Sequence, residues 1–179
     1  MVPPLSEHID DAESIPELTF DMGVAETIAR IDQLLQQQDC VVIAINFTGE
    51  NVGKSFFTRR ILKILHQTEI PALYLRDRPR EMDIEALNLQ ENRYGSKKMI
   101  LILEEAQLGS LHVDSAMAIK RFRNDEAVRF CRELGHEHHG IDFWVGLHTP
   151  SQPFSQDHSY APIADFIIRN EEAKIKKNF

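Results

Sequence analysis

The chain has 179 residues, 42% of them hydrophobic and 27% charged, which at roughly 100–200 residues per domain predicts one globular domain. No apolar run approaches the ~20 residues a membrane helix needs, and the start lacks the basic-plus-apolar pattern of a signal peptide, so the expectation is no membrane insertion and a cytoplasmic location. The net charge of −8 excludes a surface coated with phosphate-binding groups, although a ring of copies can still gather basic groups on one inner surface.

Residues 1–22 read as an acidic flexible arm, residues 23–170 as the folded domain and residues 171–179 as a charged tail. In the domain, Val24, Ile28, Ile31 and Leu35 share one face of a helix ending near Gln38. The β-branched run over residues 40–46 predicts a strand buried on both faces. A glycine-containing loop follows, and then a second amphipathic helix marked by Phe57, Ile61, Ile64 and Leu65. Further strands are predicted at 72–75, 99–103, 141–147 and 164–168. Helices are predicted at 82–89 and 114–134. Cys40 and Cys131 stand in apolar surroundings and are expected to be buried free thiols. Strands alternating with helices predict an α/β domain with a mainly parallel five-stranded sheet.

The loop after the first predicted strand reads Thr48, Gly49, Glu50, Asn51, Val52, Gly53, Lys54, Ser55, with Phe56 next in the helix. Strand, loop and helix in succession are the context of the phosphate-binding motif G-x-x-x-x-G-K-S. Backbone N–H groups of such a loop wrap a phosphate, and the helix start adds partial positive charge. Lys54 can reach the β- and γ-phosphates, and the Ser55 hydroxyl can ligate Mg2+. The ligand expected is therefore a nucleoside triphosphate with Mg2+. ATP is favoured because the guanine signature Asn-Lys-x-Asp is missing. Thr48 stands where the motif usually opens with glycine.

The strand predicted at 99–103 runs into Glu104 and Glu105. A carboxylate at a strand end beside the phosphate loop can hold the Mg2+ shell, and the next can polarise an attacking water. Glu104 is assigned to the metal and Glu105 to the water.

Residues 101–107, Leu-Ile-Leu-Glu-Glu-Ala-Gln, resemble the Glu-Glu-Ala-His segment of HerA/FtsK-type ATPases. Later segments keep that family's order. Arg129 and Arg132 come first, then Gly135 to Ile141, then a strand leading to Thr149 and Gln152, then Ala164-Asp-Phe-Ile-Ile. The resemblance implies the three-layer P-loop NTPase fold and ATP hydrolysis coupled to translocation or packaging of DNA. It also implies homo-oligomeric rings, hexamers among them. Thr149 or Gln152 would sense the γ-phosphate, and Arg132 or Arg129 would act on a neighbour's nucleotide. The sequence departs from the family at Thr48, at Pro150-Ser151 and at His138-His139.

Two other readings stand beside this one. Uridine-kinase-like enzymes share the opening and place an Asp after the second strand, where Asp77 lies. Their lid arginines correspond to Arg121, Arg123 and Arg129, and their final segment is similar to Tyr160–Asn170. In that reading Asp77 takes the proton of a substrate hydroxyl. The double Glu and the strand at 143–147 fit the ATPase better. A slowly hydrolysing switch is the third reading. His136, His138 and His139 lack the His-Glu-x-x-His spacing and are expected in a solvated loop. Arg76, Arg78, Arg80 and Lys120, Arg121, Arg123 form basic clusters, read as solvated faces unless a ring turns one toward its pore.

Overall fold

Alternation of β-branched runs with amphipathic stretches sets the layout. The computed structural model describes residues 15–49, 52–76, 97–104, 111–154, 160–161 and 163–171. In chain order the elements are β1 (Glu17–Thr19), α1 (Phe20–Leu35), β2 (Cys40–Phe47), α2 (Lys54–His66), β3 (Ala72–Arg76), β4 (Met99–Glu104), β5 (Leu111–His112), α3 (Val113–Glu133), β6 (Phe143–His148), β7 (Tyr160–Ala161) and β8 (Phe166–Arg169).

Among the described residues the main sheet has six strands in the order β1-β8-β6-β2-β4-β3, and every neighbouring pair is parallel. The expectation of five strands is corrected here. Glu17–Thr19 pairs with Ile167–Arg169 as a sixth, edge strand, and α1 starts at Phe20, so residues 15–22 belong to the folded unit and not to an arm. Three residues with exposed ends carry too little apolar pattern to read as a strand; the pairing is supplied by β8. β5 and β7 form a separate two-residue antiparallel ribbon that the sequence reading also missed. The helix expected at 82–89 lies outside the described residues.

The period-two alternation of the strands sends side chains to two cores. Val41, Ile43, Ile45 and Phe47 of β2 pack with Phe20, Ile31, Phe57, Ile61 and Leu65 of α1 and α2. Cys40, Val42 and Ala44 pack on the other face with Ala127, Phe130 and Cys131 of α3. Helices therefore cover both faces, as a parallel sheet requires. Cys40 and Cys131 are buried free thiols with their sulfurs 3.8 Å apart. None of the described helices is long and apolar enough to cross a membrane.

The chain leaves β2 toward β3 and β4 on one side, then crosses to β6 and β8 on the other. β2 is thus the point where strand order reverses. In open α/β sheets the crevice outside the carboxyl ends at such a point is where ligands bind.

Candidate functional site

Everything at that crevice is built from strand ends. Phe47 closes β2, and Gly53 caps α2 with φ 90°, a left-handed conformation that suits glycine. The N-cap residue Gly53 has no side chain with which to cap this helix, and an α-helix gives its first N–H groups no acceptor of its own. A Cβ at Gly53 would lie 1.8 Å from Asn170 Nδ2, so the position requires glycine for space as well. Asn170, just past β8, donates from Nδ2 to Val52 O at 3.1 Å and from its backbone N–H to His148 O at 2.9 Å. One buried amide thus joins the loop to two strand ends.

Lys54 is the first residue of α2, and its ammonium forms an ion pair with Glu104, the last residue of β4. Tyr74 on β3 donates its hydroxyl to the other Glu104 oxygen. Glu104 stands opposite Ile45 on β2 and Arg76 on β3, so its position follows from strand register. The Lys54 ammonium also lies 4.1 Å from the centre of the Phe47 ring, a cation–π contact. Ser55, next on the helix, is exposed. Phe56 stacks on Phe20 with ring centres 5.0 Å apart, a packing role.

Thr48 donates its hydroxyl to Gln152 O at 2.6 Å, and its N–H reaches Leu147 O at 3.2 Å. A side chain at this position therefore docks the loop on the turn after β6, which glycine could not do. That turn is closed by an isolated bridge between Thr149 and Gln152, with Gln152 N–H donating to Thr149 O at 3.1 Å. The Gln152 side chain lies over Gly49, where a Cβ would be 2.3 Å from its Oε1.

The structure thus brings together Thr48, Gly49, Val52, Gly53, Lys54, Ser55, Glu104, Thr149 and Gln152. Glu50, Asn51, Glu105 and Asp77 lie outside the described residues. Arg132 is placed elsewhere. It is exposed on the last turn of α3, beside Cys131, whose sulfur meets that of Cys40 at the start of β2. The 8 residues of β2, at about 3.3 Å each, put that end of the sheet about 25 Å from the Lys54 end. Arg129, one turn earlier and exposed, shares that location.

Sequence reasoning missed Asn170, Tyr74 and the tie from Thr48 to Gln152. Each acts through residues distant in the chain, and no local spacing announces it. Asp142 was missed as well, and here a signal existed: a carboxylate inside the apolar run 141–147. It lies at the opposite edge of the sheet. Its Oδ2 accepts the Val42 N–H and contacts His138 Nε2 at 2.9 Å, while its Oδ1 accepts from Gln38 Nε2 at 2.8 Å and faces His139 Nε2 at 3.0 Å. Burial alone would raise the Asp142 pKa. The bonds from His138, Val42 and Gln38 outweigh it and hold the carboxyl below its ordinary value.

No protein-family model and no curated protein matches the chain.

Proposed function

We propose that the chain binds ATP with Mg2+ in the crevice beyond β2, on a P-loop NTPase fold, and cleaves the terminal phosphate. The observation that carries this reading is the ion pair between Lys54, the first residue of α2, and Glu104, at the end of β4 beside β2. A cation and a carboxylate share a partly buried place at a helix N-terminus, where phosphate is favoured. The Lys54 ammonium exchanges Glu104 for phosphate oxygens, and Glu104 together with the Ser55 hydroxyl supplies the hard oxygen donors that suit Mg2+. The backbone of Thr48, Gly49, Glu50, Asn51, Val52, Gly53 and Phe56 surrounds the phosphates. Thr149 and Gln152 face the γ-phosphate end, and Glu105 orients the water. Coupling to DNA movement in a homo-oligomeric ring is the form of this activity that the HerA/FtsK resemblance suggests.

Transfer to a hydroxyl is the second reading, with Arg121, Arg123 and Arg129 of α3 as its lid arginines. Arg132 and Arg129 belong to the last turns of α3, toward the amino ends of the strands, whereas Lys54 starts α2 at their carboxyl ends. Help from a neighbour's arginine would require one copy's amino-terminal sheet edge to face the next copy's carboxyl edge. The kinase reading loses Arg129 by the same placement and keeps Arg121 and Arg123, nearer the start of α3.

Phosphate release from ATP, measured with and without DNA and separately with a panel of nucleosides, decides between them. Turnover stimulated by DNA and abolished in Glu105→Gln is the expected result. Phosphorylation of a nucleoside with no phosphate release would replace hydrolysis by transfer.

A further inference from the structure

The edge of the sheet opposite the nucleotide crevice carries a second constellation. His138, His139 and Asp142 bring three donor atoms within 4.8 Å of one another. His138 and Asp142 have side chains only 3% and 1% exposed, whereas His139 is 63% exposed. From this geometry we infer a binding site for a divalent transition metal of the Zn2+ class, held by two imidazoles and one carboxylate with an open position on the solvent side.

Spacing supports it. Donor atoms about 2.1 Å from a common ion, at angles near 90–109°, lie about 3.0–3.4 Å apart. His138 Nε2 lies 2.9 Å from Asp142 Oδ2 and His139 Nε2 lies 3.0 Å from the other oxygen, Oδ1, with one donor atom from each residue inside 4.8 Å. A small turn of the exposed His139 ring toward the oxygen that faces His138 therefore brings three donors to that spacing. Two imidazoles with one carboxylate and an open position suit Zn2+ rather than Mg2+ or Ca2+, which prefer oxygen. On binding, each Nε2 proton is released or the ring proton moves to Nδ1.

The outer shell is already in place. Gln38 Nε2 and the Val42 N–H each hold one Asp142 oxygen, both at 2.8 Å, and would keep it aimed. The backbone of Gly140 also bonds the His138 ring. Asn124 on α3 accepts the Ile141 N–H at 2.9 Å and fixes the turn between the ligands. The alternative, Asp142 as a hydrogen-bonded hub joining this turn to β2, leaves one feature idle. A hub needs no second histidine at the solvent side of a carboxylate whose other bonds are buried.

The test uses the 179-residue chain stripped with a chelator, titrated with Zn2+ by calorimetry and with Co2+ by visible absorption. One ion per chain is expected, with d–d bands of nitrogen- and oxygen-ligated Co2+ and a thermal midpoint raised by Zn2+. Gln38→Leu, outside the donor set, weakens Zn2+ binding roughly 10- to 100-fold. His139→Ala removes an exposed ligand, leaves the fold intact, and weakens binding by more than that. His136→Ala and Glu104→Gln leave affinity unchanged, which separates this site from the Mg2+ position. Absence of stoichiometric uptake, or uptake that His139→Ala leaves intact, would overturn the site and leave the hub alone.

Discussion

Lys54 and Glu104 show how a residue's chemistry depends on where the chain places it. Each is ordinary alone; strand register and the turn at Gly53 make them partners. Their meeting at one crevice was legible because the glycine-lysine loop is a local motif, and the strand-end carboxylate follows from an apolar run ending in acid. Asn170 was not, since its value lies in joining Val52 to His148. His148 offers a test at this scale. It ends β6, and its Nδ1 accepts the Phe154 N–H at 3.2 Å. Burial lowers its pKa, and Arg169 adds to this. Glu17, 3.1 Å from Nε2 but not aligned as a hydrogen bond, opposes it. The folded chain therefore binds fewer protons than the unfolded chain below the ordinary histidine pKa of about 6.5. This contribution is complete above that pH and is lost as pH falls toward the lowered value. Burial of His148 should pull the urea midpoint down between about pH 7.5 and about pH 5.5, against the opposite pull of His138, whose pKa is raised. In His148→Asn, whose side-chain oxygen can take the same N–H without titrating, the drop should be smaller. Equal drops in both proteins would remove His148 as the cause.

At the scale of elements, the long apolar strands were read from sequence to within one or two residues at most ends. β6 starts later than predicted because Ile141 and Asp142 precede the ladder, and there the Asp142 carboxylate takes the Val42 N–H in its place. Asp165 repeats the device before β8, accepting the Trp144 N–H at 2.7 Å. β1 stayed hidden because an edge strand borrows its reason from its neighbour. That neighbour also fixes α1. A Cβ at Gly23 would meet Ile168 Cγ1 at 2.3 Å and Cδ1 at 2.4 Å, so α1 lies against β8 through glycine. Helix propensity favours Gly23→Ala by about 1 kcal/mol. Ile168 is fully buried and has no room to yield, so overpacking toward the upper end of about 1–3 kcal/mol wins and the variant is less stable. Ile168→Ala removes both clashing atoms and should cost clearly less stability in the Gly23→Ala background than in the wild type. A double-mutant cycle from chemical denaturation measures this, and simple additivity would mean that the contact does not set the helix position.

The whole molecule puts two different chemistries at the two edges of one parallel sheet. Its carboxyl edge gathers Gly53, Lys54 and Glu104 at the strand where the order reverses; its amino edge gathers two histidines and an aspartate. The division into α/β layers was legible from alternating periodicities. The distance between edges was not, and it is what separates Arg132 from the proposed nucleotide site. A ring in which Arg132 acts therefore has to bring opposite edges of neighbouring copies together. The central claim is nucleotide binding at Lys54, and equilibrium titration with Mg2+ and ATP tests it most directly. The wild type should bind one ATP per chain. Lys54→Ala should weaken that binding roughly 10- to 100-fold, the worth of a hydrogen bond to a charged group, while its circular dichroism stays native. An unchanged affinity in a folded Lys54→Ala protein would contradict the account.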